Sequence, residues 1–241
     1  MALPLFPIRA VEETAWFGTN AWTVHRNKLD EAVDKFEQIR PATYLMGHTG
    51  HMPELAQLFD ALKIAMLFVY RDLRDVLVSQ AYHVMDDMDG KLKHPGRHLY
   101  DGMTKEEIML ACIEGIGVYS GIFERWKTYE PWFDESFIFP VRFEDMVKKP
   151  RWCAKRFFEW IYGITIAEAG ATNAYLDKDL QKGVAEEMVF QMQQRQLSST
   201  FRKGKTGSWK REFTPRVSKA FKAADTEGTM KRLNYVRSED W

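Results

Sequence analysis

Apolar positions recur along the chain at two spacings, one helical and one extended, and the two alternate. In KLDEAVDKFEQI (28–39), Leu29, Val33, Phe36 and Ile39 fall three or four apart, which predicts a helix, and Pro41 closes it. TYLMG (43–47) is short, apolar and β-prone; GHTGHMP then breaks regularity before ELAQLFDAL (54–62) resumes the helical spacing. IAMLFVY (64–70) is apolar at every position, which predicts a strand covered on both faces in a parallel sheet. DLRDVLVSQAYHV (72–84) is helical again, with Asp72 as N-cap and Asp75 three residues on as a relative of the capping box. MDDMDGKLKHPGRHLYDG (85–102) has no period and reads as a long surface excursion. Thr104 and Glu107 form a capping box that opens a long helix, its core stripe running Ile108, Cys112, Gly115, Tyr119, Ile122, Trp126. FIFPVR (137–142) predicts a second buried strand, against which Pro140 counts. Helices are expected at 150–162, 172–182 and 184–194, and SSTFRKGKTGSW (198–209) as a polar, basic loop.

With no internal repeat or clear linker, this alternation predicts one α/β domain over 1–241, a parallel sheet flanked by helices, with 1–42 its least defined part. Composition leaves that picture intact: 45% hydrophobic and 28% charged residues belong to an ordinary globular chain. Thirty-four basic residues balance thirty-four acidic ones, so no global field draws the protein to nucleic acid, and any anion site must be local. Cys112 and Cys153 lack the spacing of a disulfide framework or zinc site. The start, MALPLFPIRAVEE, lacks a basic leader, and no apolar run reaches the length of a membrane span; the expectation is a soluble, cytoplasmic protein with no metal.

Two stretches depart from this ordinary background. Arg71 stands where an apolar strand gives way to a helix, the place where parallel sheets bind ligands and where a helix N-terminus offers free N–H groups to an anion. Ser79 follows eight residues later, two turns into the helix. Taken alone, Arg71, Asp72, Arg74 and Asp75 are an ordinary helix start with solvated pairs. The second stretch shifts that balance: TFRKGKTGSWKREFTP (200–215) crowds Arg202, Lys203, Lys205, Lys210 and Arg211 around Gly204 and Gly207, whose backbones can approach a ligand closely.

VYRDLRDVLVSQAYH resembles the 3′-phosphate-binding segment of the sulfotransferase family: an apolar strand, Arg-Asp-x-Arg/Lys-Asp, and a serine eight after the first arginine. FRKGKTGSWKREFT is similar to that family's Arg-Lys-Gly-x-x-Gly-x-Trp-Lys-x-x-Phe-Thr loop, RFEDMVKKP (142–150) to its Tyr-Glu-Asp-Met/Leu segment, and GHMPEL (50–55) to its His-x-Pro element. The resemblance covers about residues 43 to 233 and implies a P-loop-like α/β fold. It implies that Arg71 and Ser79 hold the 3′-phosphate of 3′-phosphoadenosine 5′-phosphosulfate from one side, with Arg202, Lys203 and Gly204 closing from the other. Phe143 occupies a position where the family often has a tyrosine near the adenine.

In-line sulfuryl transfer needs positioning, charge stabilisation and a base for the acceptor hydroxyl, and a histidine is suited to that last task. The resemblance points to His51, which precedes Met52-Pro53 as the family's catalytic histidine precedes Leu-Pro; His48 is the reserve. One family element is not evident, the Pro-Lys-Ser-Gly-Thr-Thr-Trp loop that grips the 5′-phosphosulfate and the strand before it. AWFGTNAW (15–22) carries a Gly-Thr echo with no lysine before Gly18. Two functions therefore stand: transfer of a sulfuryl group to a hydroxyl or amine of a small-molecule or glycan acceptor, releasing adenosine 3′,5′-bisphosphate; or a non-catalytic module that binds that bisphosphate. A third reading, a P-loop kinase, finds no support, since GxxxxGK[ST] occurs nowhere. Oligomeric state stays open: Lys210 and Thr214 match half of the family's dimer segment, while Pro215 and Lys219 replace its valine and glutamate.

Overall fold

The computed structural model describes residues 9–10, 33, 36, 43–44, 49–85, 94, 96–169 and 205–238. Two units arise, Met1–Ile64 with Arg125–Phe137, and Ala65–Glu124 with Ile138–Trp241. In the first, β1 (Arg9–Ala10) pairs in parallel with β2 (Thr43–Tyr44), Arg9 opposite Thr43. Val33 and Phe36 are helical, as the spacing over 28–39 requires. Pro53 opens α1 (Pro53–Ala61), where its missing N–H costs nothing, and Leu55 and Phe59, one turn apart, go into the core. Phe59 stacks on Trp132 at 5.6 Å, and Phe36 meets Phe59 edge-on at 4.6 Å. Trp132 comes from a 3₁₀ turn at Glu130–Asp134, and its indole N–H donates to the Thr49 carbonyl at 2.8 Å, so the ring is buried with its donor satisfied.

In the second unit, β3 (Met66–Tyr70) leads through Arg71 and Asp72 into α2 (Leu73–Met85). After a 3₁₀ turn at Arg97–Tyr100 comes α3 (Lys105–Glu114), then β4 (Gly115–Ile116), β5 (Tyr119–Ser120) and α4 (Ile122–Lys127). β6 (Ile138–Arg142) runs directly into α5 (Phe143–Lys148), followed by α6 (Pro150–Ala169), α7 (Trp209–Glu212), α8 (Pro215–Ala224) and α9 (Thr229–Arg232). β3 and β6 pair in parallel from Met66 opposite Ile138 to Tyr70 opposite Arg142, the parallel sheet the alternation called for. Pro140 sits inside β6 opposite Phe68; among the described residues β6 pairs only with β3, and edge strands are where a sheet tolerates proline.

Two expectations change. β3 is not covered on both faces: Leu67 and Val69 are 36% and 44% exposed, alternating with half-buried Met66, Phe68 and Tyr70. The long helix begins with its capping box as read, Thr104 Oγ1 accepting from Glu107 N–H and Glu107 from Thr104 N–H, but it stops at Glu114. Gly115 takes φ 101° and starts a tight antiparallel hairpin before α4. A Cβ on Gly121 would lie 2.3 Å from the Ile113 carbonyl, so the chain turns back closely enough to need glycine there. The stripe nonetheless stays buried from Ile108 through Trp126 apart from half-buried Gly115, because the interrupted chain keeps its apolar positions inward.

The second unit's core is built from α2 (Leu73, Leu77, Val78, Ala81, Val84), α3 (Ile108, Met109, Cys112, Ile113) and α8 (Val217, Phe221). Each large side chain of this kind contributes about 1.5–3 kcal/mol when fully buried. Both cysteines are free and buried, and burial pushes the Cys153 thiol up. The helices expected at 172–182 and 184–194, and most of the excursion after 85, lie outside the described residues.

Candidate functional site

At the tip of β3 the two charged stretches of the second unit meet. Arg71 Nη2 donates to the carbonyl of Lys205 at 2.8 Å, across 134 positions of sequence. Asp75, one turn into α2 and 1% exposed, accepts the Gly207 N–H at 2.6 Å and the Trp209 N–H at 3.1 Å. Gly207 makes that approach with φ at 75°, in the left-handed region where a side chain is strained. Asp75 is thus the anchor of the basic loop and not a capping-box partner: the Asp72 N–H it would have capped donates instead to Glu144 Oε1 at 3.2 Å.

The two arginines of the segment divide their work. Arg74 is buried, its Nε and Nη2 paired with both oxygens of Asp72 at 2.8–3.2 Å, its guanidinium 3.9 Å over the Trp209 ring and its Nη2 also donating to the Tyr235 carbonyl at 3.3 Å. Asp72 in turn caps α2 by accepting the Arg74 N–H. Arg71 is committed on one side only. Its guanidinium lies 4.6 Å over the Phe143 ring and 3.5 Å from Asp75 Oδ2, yet its Nε is buried with no hydrogen-bond partner among the described residues. A buried donor left unpaired costs about 1–3 kcal/mol.

Behind the tip, α5 supplies Glu144, which holds both the Asp72 N–H and the Tyr235 hydroxyl, the latter at 2.7 Å. Burial first, then that hydrogen bond, pushes the Tyr235 phenol far up, so it stays a donor. Further out, Glu212 of α7 accepts from Lys105 at 2.6 Å and from Tyr82 at 3.1 Å, tying the segment after the basic loop to α2 and α3; the Glu212 hydrogen bond, partly offset by burial, raises the Lys105 ammonium.

In the first unit, His51 lies in the loop before α1. Its N–H donates to the Thr128 carbonyl at 2.6 Å, its ring stands edge-on to Trp132 at 4.6 Å, and its Nε2 is 2.8 Å from Glu135 Oε1. Gly50 beside it is buried, the place of its missing Cβ 3.4 Å from the Thr128 hydroxyl.

Of the residues singled out from sequence, Arg71, Ser79 and Phe143 fall in the second unit, with Arg71 against Phe143 and Ser79 half-buried on α2 four residues after Asp75. His51 falls in the first. His48, Arg202, Lys203, Gly204 and the segment 15–22 lie outside the described residues; Lys205, whose carbonyl Arg71 grips, is the neighbour of Gly204. Sequence reasoning missed Glu135, Glu144 and Tyr235. RFEDM flagged the neighbourhood of Glu144, but nothing local marks Glu135 or Tyr235. Among the described residues no three His, Cys, Asp or Glu side chains converge on a metal position, and no helix is long and apolar enough to cross a membrane.

Paired parallel strands, a helix opening directly after the tip of β3 and a glycine-bearing loop held against that helix define an α/β domain. The chain belongs to the sulfotransferase domain family, whose profile it matches over residues 14–233. It is similar in fold to mouse sulfotransferase SULT7A1, solved in complex with PAP, at a TM-score of 0.55 and 16% identity, covering 80% of this chain and 68% of that one. It is similar also to retinol dehydratase, solved with androsterone and the inactive cofactor PAP, at a TM-score of 0.50 and 17% identity, covering 80% of this chain and 55% of the other. No curated protein sequence matches it.

Proposed function

We propose that this protein binds 3′-phosphoadenosine 5′-phosphosulfate by its 3′-phosphate at the tip of β3 and transfers the sulfuryl group to a hydroxyl or amine of a small-molecule or glycan acceptor. Family membership supports the reaction class, and the two solved relatives hold PAP. The observation that carries the reading is Arg71: half-committed to Lys205, stacked on Phe143, and left with a buried Nε that needs an acceptor. A phosphate supplies oxygens for it, and a charge-assisted hydrogen bond is about twice as strong as a neutral one. Ser79, Arg202, Lys203 and Gly204 complete the grip in this reading, Phe143 borders it, and His51 takes the proton of the acceptor.

The second reading, a bisphosphate-binding module without turnover, draws on the absence of a lysine before Gly18 in AWFGTNAW. Without charge and N–H groups aimed at the departing phosphate, each missing contact costs transfer about two to three orders of magnitude while leaving the 3′-phosphate grip intact. Calorimetry on the full chain tests the shared part. Adenosine 3′,5′-bisphosphate is expected to bind, and Arg71→Ala to weaken it by about tenfold or more; equal affinity in the variant overturns the site. Transfer from the phosphosulfate donor to p-nitrophenol then separates enzyme from module.

A further inference from the structure

Glu135 lies 84 residues from His51 in sequence and ends the 3₁₀ turn that carries Trp132. The carboxylate can only accept, so at 2.8 Å the shared proton belongs to His51 Nε2. A neutral imidazole with its proton on Nε2 has its lone pair on Nδ1, and among the described residues no hydrogen bond reaches Nδ1. The ring has little freedom to swap the two. Its backbone N–H is fixed to Thr128, the Trp132 ring packs against it at 4.6 Å, and Trp132 is itself pinned to Thr49. Side-chain exposures of 15% for His51 and 29% for Glu135 leave the pair screened yet reachable.

We propose that Glu135 is the positioning residue of the reaction, holding His51 in the Nε2–H form so that Nδ1 is the atom that takes the acceptor's proton. This rests on the reading of His51 as base. In the step, the acceptor O–H bond breaks and its proton passes to Nδ1. The oxygen's electron pair forms the new bond to sulfur, and the bond from sulfur to the donor's bridging phosphate oxygen breaks, its pair leaving on adenosine 3′,5′-bisphosphate. His51 becomes imidazolium at that moment, and the carboxylate on its far side is in place to stabilise the charge.

The test uses the full chain with adenosine 3′,5′-bisphosphate present for spectroscopy, and p-nitrophenol as acceptor for turnover. Nitrogen-15 shifts of the His51 ring are expected to report protonated Nε2 and unprotonated Nδ1 in the neutral form. Glu135→Gln preserves shape but offers an amide that can also donate; it is expected to populate the opposite tautomer and to lower kcat about tenfold or more, with bisphosphate affinity within twofold. Glu135→Asp, which keeps the charge, is expected to recover part of the loss, and Glu135→Gln to add nothing to His51→Ala. A ring whose tautomer and kcat are both indifferent to Glu135→Gln, while His51→Ala abolishes turnover, overturns the positioning role alone. His51→Ala with full turnover overturns the base assignment, and the proposal with it. If p-nitrophenol is not turned over by the parent protein, the shifts decide: a neutral ring protonated on Nδ1 overturns the proposal.

Discussion

The tip of β3 and the His51 loop are both assembled from residues far apart in sequence, but different forces hold them. At the tip, the connections are charged: Asp75 takes two backbone N–H groups, Arg71 reaches the Lys205 carbonyl, and Arg74 closes on Asp72. Around His51 they are aromatic: Phe36, Phe59, Phe137 and Trp132 pack ring on ring, and one ion pair sits at the margin. A charged framework has its donors and acceptors already aimed, which suits a fixed anion. An aromatic one holds a ring at a set angle by packing, and His51 stands against it with Nε2 turned to Glu135.

The contrast breaks most sharply at Asp75. Asp75→Ala strands the Gly207 and Trp209 N–H groups and leaves Arg71 without its nearest carboxylate, and is expected to cost about 3–5 kcal/mol in denaturant unfolding. His51→Ala leaves the aromatic cluster's rings in place; turnover of p-nitrophenol is expected to fall by about a hundredfold with bisphosphate affinity unchanged. At Gly207 no atom of the described residues lies within 4 Å of an added methyl group, so Gly207→Ala isolates the backbone: strain at φ 75° is expected to cost about 1–2 kcal/mol in the same unfolding measurement. Smallest is Lys105→Met, which removes a half-exposed partner of Glu212 and is expected to shift stability by less than about 1 kcal/mol. The sign with pH follows from the raised Lys105 ammonium: its contribution is present at neutral pH and disappears as pH climbs through the folded-state value above 10.5.

Much of this was legible because it is local. The strand at 66–70, the cap at Asp72 and the Thr104–Glu107 box are written within a few residues of themselves. The hairpin at 115–120 was not, since a four-and-three spacing of apolar residues persists through the break and only the close approach of Gly121 to Ile113 enforces it. Asp75 was visible as a charged residue near a helix start; its use 132 positions away was not. Resemblance linked the segment at Arg71 to the basic stretch after 200; the structure shows Arg71 at the Lys205 carbonyl and Asp75 at the Gly207 and Trp209 N–H groups, while Arg202, Lys203 and Gly204 lie outside the described residues. Glu135 illustrates the opposite limit: a lone carboxylate after an aromatic turn, with no spacing or motif to link it to a histidine 84 residues earlier.

We propose that β3 ends in a grip for a phosphate on the 3′ side of an adenosine. Paired calorimetric titrations of the full chain with adenosine 3′,5′-bisphosphate and with adenosine 5′-monophosphate isolate that one group. Tight binding of the bisphosphate, weakened by about tenfold or more when the 3′-phosphate is absent, is the expected result; equal affinity for the two nucleotides contradicts it.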